Sequence, residues 1–263
     1  MNESPTFLRS LKLQRRVIGA LLIREMITRY GRHNIGFLWV FAEPMLFTLG
    51  VVALWAGLKF VHASHLPVVA FGVTGYSSVL LWRNCANRCA QAITPNLGLL
   101  FHRNVRVLDI FLTRIFLELA GITVSVFTLT TLFTVLGMMD LPADMGKVLA
   151  GWFYLSWFGS ALGLIVGSIS ELSETAERLW HTVAYLIFPL SGAVFMVDWF
   201  PLAAQELLLM IPMVHGTELL RGGYFGETVI THYDTFYMFC AGAVSMLLGL
   251  LLMRKAAHQL EFE

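Results

Sequence analysis

Charge is scarce in this chain. Asp, Glu, Lys and Arg make up 13% of its 263 residues, 57% are hydrophobic, and the mean hydropathy is +0.71. Soluble domains average about 25% charged residues. A globule of this size has too little interior to hide so much apolar surface from water. That excludes a soluble enzyme, a disordered chain and a conventional nucleic-acid binder, and makes lipid the main solvent. The net charge is +1, so no global field draws in an acidic partner. Cysteine is scarce too. Cys85, Cys89 and Cys240 are odd in number, lie in apolar stretches and lack C-x-x-C spacing, which argues against a disulfide framework and a zinc site. Cys85 and Cys89, four residues apart, read as small buried hydrophobes on one helix face. The sequence lacks G-x-x-x-x-G-K-[ST], so it does not bind ATP through a P-loop, and it lacks H-E-x-x-H. Eight histidines are scattered without ligand spacing, and a lone one such as His181 reads as structural. Pro189 stands where an intramembrane serine site at Ser191–Gly192 would want glycine. No metal site, catalytic residue, signal peptide or 20–50-residue repeat is expected.

What the chain does have is long runs without charge. A membrane helix needs about 20 mainly apolar residues. Leu119–Met139, Val148–Ser170, Leu179–Val197 and Thr235–Met253 qualify, as do Gly36–Phe60, with Glu43 and Pro44 near its start, and Pro67–Ala92. Six spans are therefore expected in one all-α polytopic domain. Leu207–Thr217, broken by Pro212, is too short to cross and reads as re-entrant or interfacial. Of the Lys and Arg residues, fifteen fall before span one, around and after span two, between spans four and five, and after span six; only Lys59, Lys147 and Arg221 fall on the other side. That bias predicts two cytoplasmic termini.

The ends and loops carry further pattern. Leu22, Ile23, Met26, Ile27 and Tyr30 form an apolar stripe opposite Arg24, Glu25, Thr28, Arg29 and Arg32, the pattern of a basic amphipathic helix on the cytoplasmic membrane surface. The expected organisation is a cytoplasmic N-terminus at 1–33, a permease-like membrane domain at 34–255 and a cytoplasmic tail at 256–263. In the loop 94–114, Pro95 stops the preceding helix. A short helix over Asn96–Arg103 would offer Leu97, Leu100 and Phe101 either to the protein itself or to a groove in a partner. In the outer loop 198–232, Asp198 is expected to cap a helix with Pro201 in its first turn. Pro212 breaks that helix, and a second short helix ends at Gly222–Gly223. Two such helices, together with Glu218 and Arg221, suggest a lid or gate.

Span two holds the densest polarity. Arg83, Asn84, Asn87, Arg88 and Gln91 share one arc of about 140° on a helix of 3.6 residues per turn. Arginines facing lipid near the bilayer centre cost roughly 2.5–3.5 kcal/mol each, so either this arc faces a wet path, or the span ends early, near Trp82, and the arc sits in headgroups. In a path, the guanidinium forks suit carboxylate or phosphate. Span three is rich in Ser and Thr (Thr123, Ser125, Thr128, Thr130, Thr131, Thr134), which reads as helix-to-helix glue. Glu118 reads as an i,i+4 ion pair with Arg114.

Three segments carry a family resemblance. Leu22–Leu46, with R-E-M-I-T-R-Y, then G-F-L-W and a proline, resembles the opening signature of the ABC transporter type 2 permeases that export polysaccharides. Phe188–Pro201 resembles the end of that family's fifth span. Met213–Gly226 resembles its outer motif, with Met213–Val214–His215 standing where the family has Asn-Pro-Leu, followed by Glu218 and Arg221. The closest flavour is capsule polysaccharide export. The resemblance implies a homodimer of six-span subunits and two copies of a separate P-loop ATPase carrying ATP and Mg, with no cofactor on this chain. It also implies a lipid-linked, acidic polysaccharide substrate, a bacterial inner-membrane location, a periplasmic export partner and no nucleic acid. It assigns Arg24, Arg29 and Asn96–Arg103 (Asn96, Leu97, Leu100, Phe101, Arg103) to ATPase coupling, and Asp198, Pro201, Pro212, Glu218 and Arg221 to an outer gate. O-antigen or teichoic-acid export is the alternative within the class. An intramembrane lipid- or sugar-modifying enzyme and an ATP-independent channel are the alternatives outside it.

Overall fold

The computed structural model describes residues 7–31, 36–58, 66–90, 92–100 and 105–260. Among them every regular element is helical: α1 (Phe7–Tyr30), α2 (Gly36–Gly57), α3 (Val68–Cys89), α4 (Leu97–Leu100), α5 (Val107–Val135), α6 (Met145–Leu172), α7 (Glu174–Ile187), α8 (Leu202–Leu208), α9 (Pro212–Phe225) and α10 (Thr235–Leu260). Four of these, α2, α5, α6 and α10, are long and apolar enough to cross a membrane. They leave large side chains such as Leu54, Phe127, Phe153 and Leu247 more than half exposed, a surface that suits hydrocarbon.

The other two expected spans differ for physical reasons. Helix α3 has the length but not the apolarity, because it carries Ser77, Ser78, Arg83, Asn84, Asn87 and Arg88. It lies at the centre of the bundle, buried at every residue from Ala70 through Trp82. Helix α7 stops at Ile187, well inside the expected run 179–197. Pro189 sits in a 3-10 turn at Phe188–Leu190, and Gly192 has φ +81°, which side-chain-bearing residues rarely adopt. Residues 191–197 continue as irregular, mostly buried backbone.

Helices α3 and α6 approach closely because α6 lacks side chains along one edge. A Cβ at Gly159 would lie 2.7 Å from the Leu81 carbonyl oxygen. One at Gly163 would lie 3.1 Å from that of Cys85, and one at Gly167 2.8 Å from that of Cys89. This small-xxx-small stripe lets two membrane helices pack backbone to backbone, and no reading of the composition found it. Cys85 and Cys89 are buried in that seam, as expected of small hydrophobes. Further along, Gly151 and Gly216 let α6 and α9 meet.

The loop 198–232 deviates in register from expectation. Pro212 opens α9 in its first turn rather than only breaking a helix. Gly222 and Gly223 lie inside α9, which ends at Gly226 with φ +60°. A Cβ at Gly223 would lie 2.6 Å from the Val148 nitrogen, so this glycine serves packing on α6 rather than helix termination.

Candidate functional site

Two clusters lie at opposite ends of α3, a helix about 33 Å long at 1.5 Å per residue. At its C-terminal end, charged side chains from four helices interlock. Arg29 of α1 pairs with Glu118 of α5 and, at 3.4 Å, with Glu43 of α2. Arg88 of α3 reaches Glu43 at 3.0 Å and Glu118 at 3.2 Å. Asn84 donates to Glu118 at 3.3 Å. Arg114 of α5 pairs with Glu25 of α1 at 3.1 Å and donates to the Arg88 carbonyl at 2.7 Å. Arg24 donates to Asn96 at 2.6 Å, and Gln14 to Asp109. Arg29, Glu118, Arg114 and Glu25 are largely shielded from water, so loss of any one would leave its partner's charge undercompensated; Arg24 is exposed, and Arg88 and Glu43 remain about a third exposed.

This geometry bears on three sequence expectations. Glu25 and Arg29, on the polar face of α1, turn toward the bundle, while Ile23 and Ile27 of the apolar stripe are exposed, which fits a helix lying on a membrane surface. The reason is that Glu43, Glu118 and Arg114 wait on the neighbouring helices, which a periodicity count cannot detect. Glu118 serves Arg29 and Arg88, and Arg114 serves Glu25, so their main pairing is between helices rather than i,i+4. Asn96 is buried, donating to the Ala92 carbonyl at 2.8 Å and accepting from Arg24, so it braces the loop instead of projecting from it.

Helix α3 runs past Trp82 to Cys89, so the polar arc is helical throughout its described part. Its described members, Arg83, Asn84, Asn87 and Arg88, are all half-buried on an otherwise enclosed helix. The arc divides between neighbours. Asn84 and Arg88 face α2 and α5, Asn87 accepts from the Trp180 indole of α7 at 2.7 Å, and Arg83 donates to Tyr76 at 3.2 Å. Gln91 lies outside the described residues, as do Phe101 and Arg103 of the expected coupling segment. Within that segment Leu97 is 40% exposed and Leu100 packs on the core. A cavity of about 300 Å³ joins Arg24, Arg29, Asn87, Arg88, Asn96 and Arg114, so candidate path and coupling residues share one space.

At the opposite end, the broken segment 191–197 is held by two buried side chains of α9. The fully buried Arg221 guanidinium donates to the carbonyls of Gly192 and Phe195, each at 2.6 Å, and to that of Ala193, and lies 3.7 Å from the centre of the Phe71 ring. Gly75 of α3 makes room for it; a Cβ there would collide with Arg221 and the Ala193 carbonyl. Irregular backbone at membrane depth needs such internal partners. Glu218, also fully buried, accepts the backbone N–H of Val197 at 3.1 Å and of His232 at 3.0 Å. Of the five expected gate residues, Glu218 and Arg221 thus fasten backbone. Asp198 does not cap α8; Pro201 precedes that helix, and Asp198 pairs instead with His232 at 3.1 Å. His215 links α8 to α10, donating from Nε2 to the Leu209 carbonyl at 2.7 Å and accepting the Asp234 N–H at Nδ1 at 3.0 Å. Sequence reasoning singled out neither His215 nor His232; the only signal was His215 in the segment that departs from Asn-Pro-Leu. Among the described residues, no group of His, Cys, Asp and Glu is arranged to hold a metal.

The chain is 45% identical over 256 residues to the capsule polysaccharide export inner-membrane protein CtrC of Neisseria meningitidis serogroup B, covering 97% of each chain. It is 41% identical over 259 residues, 98% of each, to the capsule polysaccharide export inner-membrane protein BexB of Haemophilus influenzae. It is 25% identical over 248 residues to the polysialic acid transport protein KpsM of Escherichia coli, covering 92% of this chain and 94% of that one. The profile of the ABC-2 type transporter family matches residues 16–225. The chain belongs to the ABC-2 type transporter family.

Proposed function

We propose that this chain is the permease subunit of an ATP-driven exporter that moves lipid-linked, acidic capsular polysaccharide across the bacterial inner membrane. The observation that carries the reading is near-full-length similarity to proteins named for capsule polysaccharide export and polysialic acid transport. The chain is the membrane part and not an enzyme: its sequence has no P-loop, and ATP and Mg belong to two copies of a partner ATPase. It works as a homodimer, with a further partner on the periplasmic side.

The six-crossing topology counts α3 and α7, with the segment after α7, beside the four apolar helices. Its support is the length of α3 and the Lys/Arg bias, which puts both termini in the cytoplasm. The half-buried arc of Arg83, Asn84, Asn87 and Arg88 lines the inner part of the path. Helix α1 and the loop holding α4 receive the ATPase stroke, with Leu97 as the contact. Ties from α1 to α5 and to Asn96 support this division, because a push on either element displaces both. The helices α8 and α9 form the outer gate, with Glu218 and Arg221 fixing its inner wall.

The test is deletion of the chain in its host, with polysaccharide measured inside cells and on their surface. Loss of surface polysaccharide with intracellular accumulation, restored by the chain in trans, is expected. Unchanged surface polysaccharide would sink the reading, as would a chain that purifies from fully expressing cells with no P-loop ATPase.

A further inference from the structure

We infer that the outer end of this chain carries a subsite for a single glycosyl ring of the emerging polymer, built on Trp199, Asp198 and His232. The inference rests on the polysaccharide reading above and adds a place where the sugar is held.

The site begins with Glu218. One buried carboxylate accepts the N–H of Val197 through one oxygen and the N–H of His232 through the other. The residues that follow or carry those amides, Asp198 and His232, are thereby brought side by side, Oδ1 to Nε2 at 3.1 Å. A carboxylate only accepts, so His232 Nε2–H donates, and the second Asp198 oxygen is left to accept from a ligand hydroxyl. Trp199 is fixed from the other side. Its ring stacks on Phe71 at 5.5 Å and 19°, and Phe71 is itself packed against the Arg221 guanidinium. An aromatic residue that only marks the membrane interface does not need such a mount. Trp199 nevertheless remains 46% exposed.

Trp199 and Asp198 open onto a cavity of about 350 Å³ whose wall also includes Thr228, Val229 and Ile230. That volume lies in the range of about 300–1,000 Å³ typical of small-molecule sites. A flat indole suits the apolar C–H face of a sugar ring, while the carboxylate and the Thr228 hydroxyl oxygen, whose proton goes to the Phe225 carbonyl, can accept from ring hydroxyls. With Asp198 at the mouth, an acidic substituent is disfavoured, so a neutral ring of the acidic polymer, through its hydroxyl-bearing face, is what is read.

The test uses the full-length chain with its ATPase in lipid nanodiscs. Binding of an N-acetylglucosamine tetramer and of a sialic acid tetramer is followed by saturation-transfer NMR. The neutral tetramer is expected to bind, with Trp199→Ala weakening it about five- to tenfold, Asp198→Asn weakening it less, and Trp199→Phe nearly retaining it. Two results overturn the subsite: no binding of the neutral tetramer to the unaltered complex, or binding that Trp199→Ala leaves unchanged. Both side chains are exposed, and the variants' elution as intact complexes checks their folding. If binding fails while the chain still restores surface polysaccharide to deleted cells, the subsite falls and the export reading stands. If surface polysaccharide never depended on the chain, the export reading falls with it.

Discussion

Arg221→Met is the substitution whose cost follows most directly from the structure. The methionine fills much of the same space, so the cavity left is small. The acceptors remain: the carbonyls of Gly192, Ala193 and Phe195 lose their donor inside a buried segment. A buried polar group left without its partner costs about 1–3 kcal/mol. Three of them sum to about 3–9 kcal/mol, and because the unfolded chain in a membrane also finds partners, the lower half of that sum, about 3–6 kcal/mol, is expected. For a chain of this length, 1 kcal/mol moves the midpoint by about 2–4 °C, so a fall of about 6–24 °C follows. Arg221→Lys keeps the charge, but a point ammonium cannot span acceptors arranged for a fork, so it should lie between the two. Cys85 and Cys89 are buried and supply the assay: a thiol-reactive dye reports their exposure on heating, with Cys240 replaced by alanine throughout. A midpoint for Arg221→Met within about 2 °C of the parent would refute the argument that Arg221 satisfies the broken segment.

Three further outcomes can be checked together. Gly159→Val should sharply reduce the yield of folded protein after detergent extraction, because its Cβ would meet the Leu81 carbonyl and the Trp82 backbone, while Gly50→Ala, with nothing within 4 Å, should leave the yield unchanged. Glu118→Gln removes the carboxylate shared by Arg29 and Arg88; substrate export should fall several-fold while the ATPase still co-purifies, and an unchanged export-to-hydrolysis ratio would show that the network does not couple the two. A cysteine at Leu97 should cross-link to the ATPase and one at Asn96 should not, because only Leu97 is exposed; equal cross-linking would contradict the placement of that loop.

The parts of the fold legible in the sequence were those governed by local composition. Charge-free runs located α2 and α6 to within three residues, whereas α5 begins twelve residues before its run, with Asp109, Arg114 and Glu118 all taken up inside the bundle, and α10 continues seven residues past its own. The interruption after α7 was also written there, in Pro189 and Gly192, but the apolarity of 179–197 outweighed two residues whose effect depends on what can satisfy the freed carbonyls. That partner, Arg221, is about thirty positions away, and no window connects them. The same limit explains α1. Its stripe was real, yet which face turned inward depended on Glu43, Glu118 and Arg114. The arc on α3 had the right angular spread, but only packing could divide it between α2 and α5 on one side and α7 on the other. The Gly159–Gly163–Gly167 spacing is legible in the sequence alone, but the carbonyls of Leu81, Cys85 and Cys89 that it meets are not.

The sheathing of α3 has an evolutionary consequence. From Ala70 through Trp82 no residue reaches the surface, and where α3 meets α6 its backbone is set against glycines. Such a helix has no neutral positions through which to drift. A larger residue anywhere on it demands a smaller one opposite, and along the α6 edge nothing smaller exists. Adaptation to a different polymer would then be confined to the half-buried arc near Arg83 and Arg88 and to the outer loop. The central helix would stay constant while the chemistry at its two ends changes around it.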